Sequence, residues 1–334
     1  MDYKDKTISV APMMDWTDRH CRFFHRLIAP SVTLYTEMVT TGALLRGDAE
    51  RFLRYDEREK PVILQLGGST PKELAQSAKM GEDAGYDEIN LNCGCPSDRV
   101  QSGFFGACLM SEPQLVRDCI QAMRESVNIP VHVKTRIGID DSEEYEFVDK
   151  FVDTVCTTNV SRETNMVTNC NTFIIHARKA WLKGLSPKEN REIPPLRYDI
   201  VERLKKDHPT LNIQLNGGIR TIEDVKTHLK TFDGVMIGRE AYQNPWFLRQ
   251  IEEEVLGNTN LLTPGQIIDE MIIYAHSQAE KYDTPLKSIT RHMTGLFQGI
   301  PGARRWRQIL STEMHKPDAM PENLKAAYSN AFEG

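Results

Sequence analysis

Apolar and polar residues alternate along this chain in short runs, most of them ending at Gly, Pro or Asn. Runs at 7–13, 34–38, 62–67, 88–92, 131–137, 172–177, 212–217 and 234–238 predict short β-strands. Helix signals fill the gaps between them. Thr70-Pro71 supplies an N-cap and a first helical position, and Thr221 precedes Glu223 and Asp224 in a first turn. Strands alternating with helices over roughly 240 residues predict a (β/α)8 TIM barrel, an α/β fold. From about Asn244 the strand signals stop. Thr263-Pro264-Gly265-Gln266 reads as a helix start, and Ile267, Ile268, Met271, Ile272 and Ala275 recur at helical spacing. The expected organisation is a catalytic barrel over 1–243 and a small all-helical C-terminal domain over 244–334. Residues 156–165 are polar and without pattern, and read as an exposed loop insertion.

Composition changes this picture little. The chain has 334 residues, 40% hydrophobic and 26% charged, an ordinary globular balance. No apolar run is long enough to span a bilayer, and the charged opening Asp2-Tyr3-Lys4-Asp5-Lys6 does not resemble a secretory leader. Seven irregularly spaced cysteines predict reduced thiols and a cytoplasmic setting. A formal charge of -6 means that any contact with RNA needs a local basic face.

The candidate chemistry collects where strands end, which is where barrels carry their active sites. Strand one ends in Ala11-Pro12-Met13-Met14, whose backbone could lie against a planar ligand. Strand four runs through Asn92 into Cys93-Gly94-Cys95-Pro96-Ser97. Pro96 lacks an N–H and restricts Cys95, so that thiol is held at a fixed turn. Asn216-Gly217-Gly218 and Gly238-Arg239 each feed a helix and suit a phosphate. Gln65, Lys134 and His176 at the same mouth suit a flavin: Gln65 at the pyrimidine edge, Lys134 near N1 and C2=O, His176 at the ribityl chain or phosphate. A Cys-x-Cys pair without a second pair at ligand spacing predicts no metal site.

Three long motifs add a resemblance. Ala11-Pro12-Met13-Met14-Asp15-Trp16-Thr17-Asp18-Arg19-His20-Cys21-Arg22 is one. The second is His176-Ala177-Arg178-Lys179-Ala180-Trp181-Leu182 with Gly184-Leu185-Ser186-Pro187-Lys188-Glu189-Asn190-Arg191, and the third Gly295-Leu296-Phe297-Gln298-Gly299-Ile300-Pro301-Gly302-Ala303-Arg304-Arg305-Trp306-Arg307. Together they resemble the A subfamily of the tRNA-dihydrouridine synthase family, over nearly the whole chain. The departure is the polar segment at 157–168, longer than the family pattern.

The resemblance implies an FMN enzyme that uses NADPH to reduce the C5–C6 bond of uridine at positions 20 and 20a of the tRNA D-loop. Hydride would pass from flavin N5 to C6, and a proton from Cys95 to C5; Cys93, two residues earlier, is the rival thiol. Local charge predicts the RNA face. Arg178, Lys179, Lys183, Lys188 and Arg191 with Trp181 form one cluster; Arg291, His292, Arg304, Arg305 and Arg307 with Trp306 form another. Asn92 and Arg136 are expected at the RNA as well, and the chain is expected to work as a monomer. Two other classes share part of the pattern: an FMN barrel acting on a small pyrimidine or enone, and a catalytically silent RNA-binding protein. The first has no use for the basic helical domain, and the second none for Cys95.

Overall fold

The structure, a computed structural model, describes residues 3–97, 103–142, 144–156 and 170–332. Nine parallel strands form the eight staves of a barrel: β1 (Thr7–Val10), β2 (Leu34–Tyr35), β3 (Val39–Thr40), β4 (Val62–Gly67), β5 (Glu88–Cys93), β6 (Val131–Arg136), β7 (Thr172–His176), β8 (Asn212–Asn216) and β9 (Gly234–Ile237). The order is β1-β9-β8-β7-β6-β5-β4-β2, with β3 also on β4, so β2 and β3 are two pieces of one stave. The expected strand at 34–38 is thus broken after Tyr35. The sheet closes where the Val10 N–H donates to the Thr33 carbonyl and the Thr33 N–H to that of Ile8, both at 2.9 Å.

Period-two alternation sorts the staves into two faces. Ile89, Leu91, Cys93, Val131, Val133, Phe173, Ile175, Ile213 and Leu215 point outward, into one apolar layer with the helices Pro113–Ser126, Glu144–Cys156 and Tyr198–Asp207. The interleaved Asn90, Asn92, His132, Lys134, His176, Gln214 and Asn216 point into the barrel. Ala11, Tyr35, Ile63, Ile174 and Met236 form a small separate apolar cluster. The barrel is therefore dry outside its wall and polar inside its mouth.

The helix starts follow their predicted chemistry. Thr221 and Asp224 cap each other reciprocally, as do Thr263 and Gln266. Thr70 is an N-cap without a side-chain bond, the start being set by Pro71. After residue 244 the chain is helical. Phe247, Leu248 and Ile251 of the helix Trp246–Glu254 and Ile267, Ile268 and Met271 of the helix Pro264–Tyr282 share one core with Phe23, Phe24, Val235 and Ile237 of the barrel. No helix among the described residues is long and apolar enough to cross a membrane. The expected insertion at 157–168 lies outside the described residues; Cys156 ends the helix Glu144–Cys156.

Candidate active site

At the C-terminal rim of the barrel a side-chain network forms the floor of the mouth. Gln65 donates to Asn90 Oδ1 at 2.7 Å, Asn92 donates to Gln65 Oε1 at 2.9 Å, and Asn90 donates to the His132 carbonyl at 3.3 Å. Asn92 Oδ1 also accepts the N–H groups of Gly94 (3.1 Å) and Cys95 (3.0 Å). The turn carrying Cys95 is thus hung from the floor by an Asx-type bond. Its other support is Arg136, which donates to the carbonyls of Gly94 (2.9 Å), Lys179 (2.8 Å) and Asn190 (3.0 Å).

These contacts show what holds the two residues expected at the RNA. Arg136 is 4% exposed and its guanidinium is engaged with three backbone carbonyls, so it braces the Cys95 turn and the following loops rather than facing a nucleic acid. Asn92 bonds Gln65 and the Gly94 and Cys95 N–H groups at the mouth end of β5. Cys93 and Cys95 separate sharply. Cys93 is fully buried in the outer apolar layer, which raises its pKa well above that of a free thiol. Cys95 is half-buried at the mouth, with Sγ 3.5 Å from Ser97 Oγ and its carbonyl taking the Ala107 N–H at 2.9 Å.

Lys134 donates to Asn216 Oδ1 at 3.2 Å, and Asn216 in turn donates to the Met236 carbonyl at 2.8 Å. Burial, then the neighbouring Arg136, bring the Lys134 ammonium down to about 7. Burial first, then Arg136, Lys134, Arg178 and Arg191, hold His176 well below its ordinary value, so its imidazole is neutral. Arg178 is also held down, by burial and by Arg239 and Arg220. Among the described residues Glu192 is the one carboxylate ion-paired to this group, 2.6 Å from Arg239. The mouth is therefore a cationic cup with too few carboxylates to neutralise it.

The two glycine turns close that cup. Gly217 and Gly218 have φ of +114° and +76°, a region that favours glycine. A Cβ on Gly217 would meet His176 and Leu196, and one on Gly218 would meet the Tyr198 hydroxyl and Leu196. At Gly238 a Cβ would meet nothing within 4 Å, so the last turn faces open space beside Arg239. On the opposite rim both Met13 backbone groups turn back onto Thr17, at 2.9 Å each, and leave Met14 exposed beside the half-buried Pro12.

Of the expected basic clusters, Lys188 and Arg191 lie exposed on the loop after β7, while Lys179 is half-buried and donates to the Asp140 carbonyl at 3.2 Å. Arg178 is half-buried and donates to the carbonyls of Glu192 and Pro194. Arg304, Arg305 and Arg307 project from the helix Ala303–Thr312 into solvent. Trp306 does not join them. It is fully buried, its indole N–H on the Met293 carbonyl at 2.9 Å, and cannot stack on a base. Arg291 and His292 are committed to Asp18 in the loop after β1, at 2.6 Å and 3.0 Å, and Tyr242, stacked on Trp16 at 4.3 Å, reaches His292 at 3.2 Å.

Several residues of this arrangement escape a linear reading. Asn90 could have been found as the alternate position to Asn92 on β5. Asn190, buried and bonded to the Trp181 and Leu185 carbonyls, and the Asp18–His292 junction across the chain carry no local signal.

A parallel barrel with a cationic, glycine-edged mouth at its C-terminal rim, and a thiol hung from the floor, is the arrangement of a barrel enzyme. Residues 9–333 match the dihydrouridine synthase (Dus) family, and this chain belongs to that family of oxidoreductases. It is 56% identical over 329 residues to the tRNA-dihydrouridine(20/20a) synthase of Shewanella oneidensis, covering 98% of this chain and 94% of that protein. It is 54% identical to the protein of the same name from Vibrio cholerae, covering 96% and 95%. To that of Escherichia coli K12 it is 57% identical, covering 93% and 87%.

Proposed function

We propose that this protein reduces uridines 20 and 20a of tRNA to 5,6-dihydrouridine, with FMN as cofactor and NADPH as reductant. The positions in the names of its relatives support the substrate. The donor set supports the cofactor. Gln65, Lys134 and Asn216 offer polar atoms to the edge of a planar ring, while His176, Gly217, Gly218, Gly238 and Arg239 form the under-neutralised cup a phosphate would fill, open at Gly238. Pro12, Met13 and Met14 form the facing wall. A flavin held there would supply hydride to C6 of the uracil.

The observation that carries the reading is the placement of Cys95. Asn92 and Arg136 fix the turn from below, so the thiol stands at the mouth and can deliver its proton to C5. Arg178, Lys179, Lys188 and Arg191 beside the mouth, and Arg304 and Arg305 on the C-terminal helices, give the tRNA backbone two footholds.

The test compares the two thiols. Cys95→Ala should slow dihydrouridine formation on the order of 10²–10⁴-fold while NADPH still bleaches the bound flavin. Cys93→Ala, which deletes a sulfur from the outer core, should lower stability by about 1 kcal/mol and leave turnover close to wild type. Equal losses of turnover from the two changes would refute Cys95 as the acid.

A further inference from the structure

Beside the mouth, on the β1–β3 side, lies a second cleft of about 430 Å³ that shares Met14 with the flavin wall proposed above and is otherwise lined by residues that chemistry does not use. Three segments enclose it: the loop after β1 (Met14, Asp18, Arg19), the break between β2 and β3 (Thr36 to Thr40), and the short helix Ala49–Leu53 with Arg54 beyond it. Its size falls in the range of small-ligand sites, roughly 300–1,000 Å³. The walls are flat and apolar at Met14, Met38 and Phe52, and two of these stand well into solvent, Met14 at 57% and Phe52 at 42%.

The polar groups are placed unlike those of a packing defect. Glu37 accepts the Asp15 N–H at 2.5 Å through Oε1, and Oε2 takes no hydrogen bond among the described residues. Asp15 holds a left-handed φ of 65° to make that bond. At the rim the Arg51 guanidinium is exposed and has no ion pair among the described residues, whereas Arg54 is held by Glu50 and the Tyr282 ring and Arg22 by Glu59. Arg19 reaches Gln278, at 3.5 Å, and no carboxylate among the described residues. The cleft thus joins surfaces for stacking, a free carboxylate oxygen for an amino or imino N–H, and unneutralised guanidinium for a phosphate. It is linked to the Cys95 turn through packing: Met38 and Phe105 both close over Gly67, and the segment following Phe105 is bonded to the Cys95 carbonyl through Ala107.

We infer that this cleft is a nucleotide subsite, taking the base and phosphate of the RNA residue adjacent to the uridine that reacts at Cys95. The inference rests on the proposed tRNA substrate. An RNA residue is chosen over the reductant's nucleotide because Met38 of the cleft meets Phe105 over Gly67, and that segment is bonded to the Cys95 turn where the uridine reacts.

Phe52→Ala and Arg51→Ala test it, since the helix carrying both buries no side chain and neither change should unfold the protein. With tRNA as substrate, Phe52→Ala should raise KM about tenfold with kcat held within about twofold, the signature of lost uniform binding. Arg51→Ala should flatten the log–log salt dependence of tRNA binding by roughly one. Wild-type tRNA KM and salt slope in both variants overturn the subsite, as does a rise in NADPH KM with tRNA KM unchanged. If the wild-type protein forms no dihydrouridine in tRNA, the proposed function fails and the subsite falls with it. Wild-type turnover with unaffected variants removes the subsite alone.

Discussion

Two groups of cations in this molecule look alike in the sequence and differ completely in their surroundings. At the barrel mouth Lys134, Arg136, Arg178, Arg191 and Arg239 face one another with Glu192 as their one ion-paired carboxylate among the described residues. Around the first helix Arg22 meets the buried Glu59 at 2.7 Å, and Arg291 and His292 meet Asp18. The Asp18 carboxyl lies well below the usual carboxylate range: burial acts against this, and the hydrogen bond and charge of His292 outweigh it. In the second group each charge is answered within the fold, so these residues hold architecture together. In the first, Arg136 and Arg178 are met by backbone carbonyls rather than by carboxylates, and the positive charge left over is what the proposed phosphate site needs.

Breaking one pair on each side should give opposite signs. Glu59→Gln removes the partner of a buried arginine and should cost about 3–5 kcal/mol of stability, read from urea unfolding. Lys134→Met removes a cation that burial penalises, and should leave the flavin-free protein as stable as wild type or more so, while FMN content falls. If Lys134→Met destabilised as strongly as Glu59→Gln, the mouth would be an ordinary buried network.

Gly238→Asp is the next effect in size. The side chain enters open space, so the fold should survive, but its charge would oppose a phosphate by about 1–4 kcal/mol. FMN binding, titrated by fluorescence on the apoprotein, should weaken tenfold or more. At Gly218 the same change would strike Tyr198 and confuse binding with misfolding.

A smaller effect is a pH slope. The folded Lys134 value of about 7 lies below the ordinary lysine value of 10.5, so between these limits the unfolded chain binds the extra proton. Stability of the flavin-free protein should therefore rise with pH through this window, more in wild type than in Lys134→Met, and FMN should flatten the slope. Urea midpoints at pH 7 and 9 decide it; identical gains in both proteins would mean Lys134 is not the titrating group.

The smallest expected change separates exposed from paired arginines of the C-terminal helices. Arg304→Ala with Arg305→Ala should reduce the salt slope of tRNA binding by roughly one for each phosphate no longer neutralised, with stability unchanged. Arg291→Ala should instead lower the unfolding midpoint and leave that slope alone. The reverse pattern would move the RNA face to the Asp18 junction.

Much of this was legible in the chain itself. Alternation along β4 to β9 announced the staves, and the glycine turns and Gly-Cys-Pro segment marked their mouth ends. The single strand expected at 34–38 is instead a stave that stops at Tyr35 and resumes at Val39–Thr40, because a short break leaves the apolar pattern intact. The cations were legible as clusters but not as paired or unpaired, since Asp18 and His292 lie 274 positions apart.

Local sequence therefore determined the strand and helix alternation, the polar lining of the barrel, the turn at Cys95 and membership of the family, because each depends on neighbours along the chain or on long motifs. Tertiary structure alone decided what each charged or reactive group meets. Cys93 and Cys95 differ by two positions, which on a continuing strand would place both on one face. The strand ends at Cys93, the Gly94-Cys95-Pro96 turn leaves the pleat, and one thiol goes to the core while the other goes to the mouth. Trp306 and Arg305 are adjacent, yet one packs under Met293 and the other meets solvent. Burial and pairing are properties of what surrounds a side chain, and in this protein those surroundings come from distant stretches of sequence.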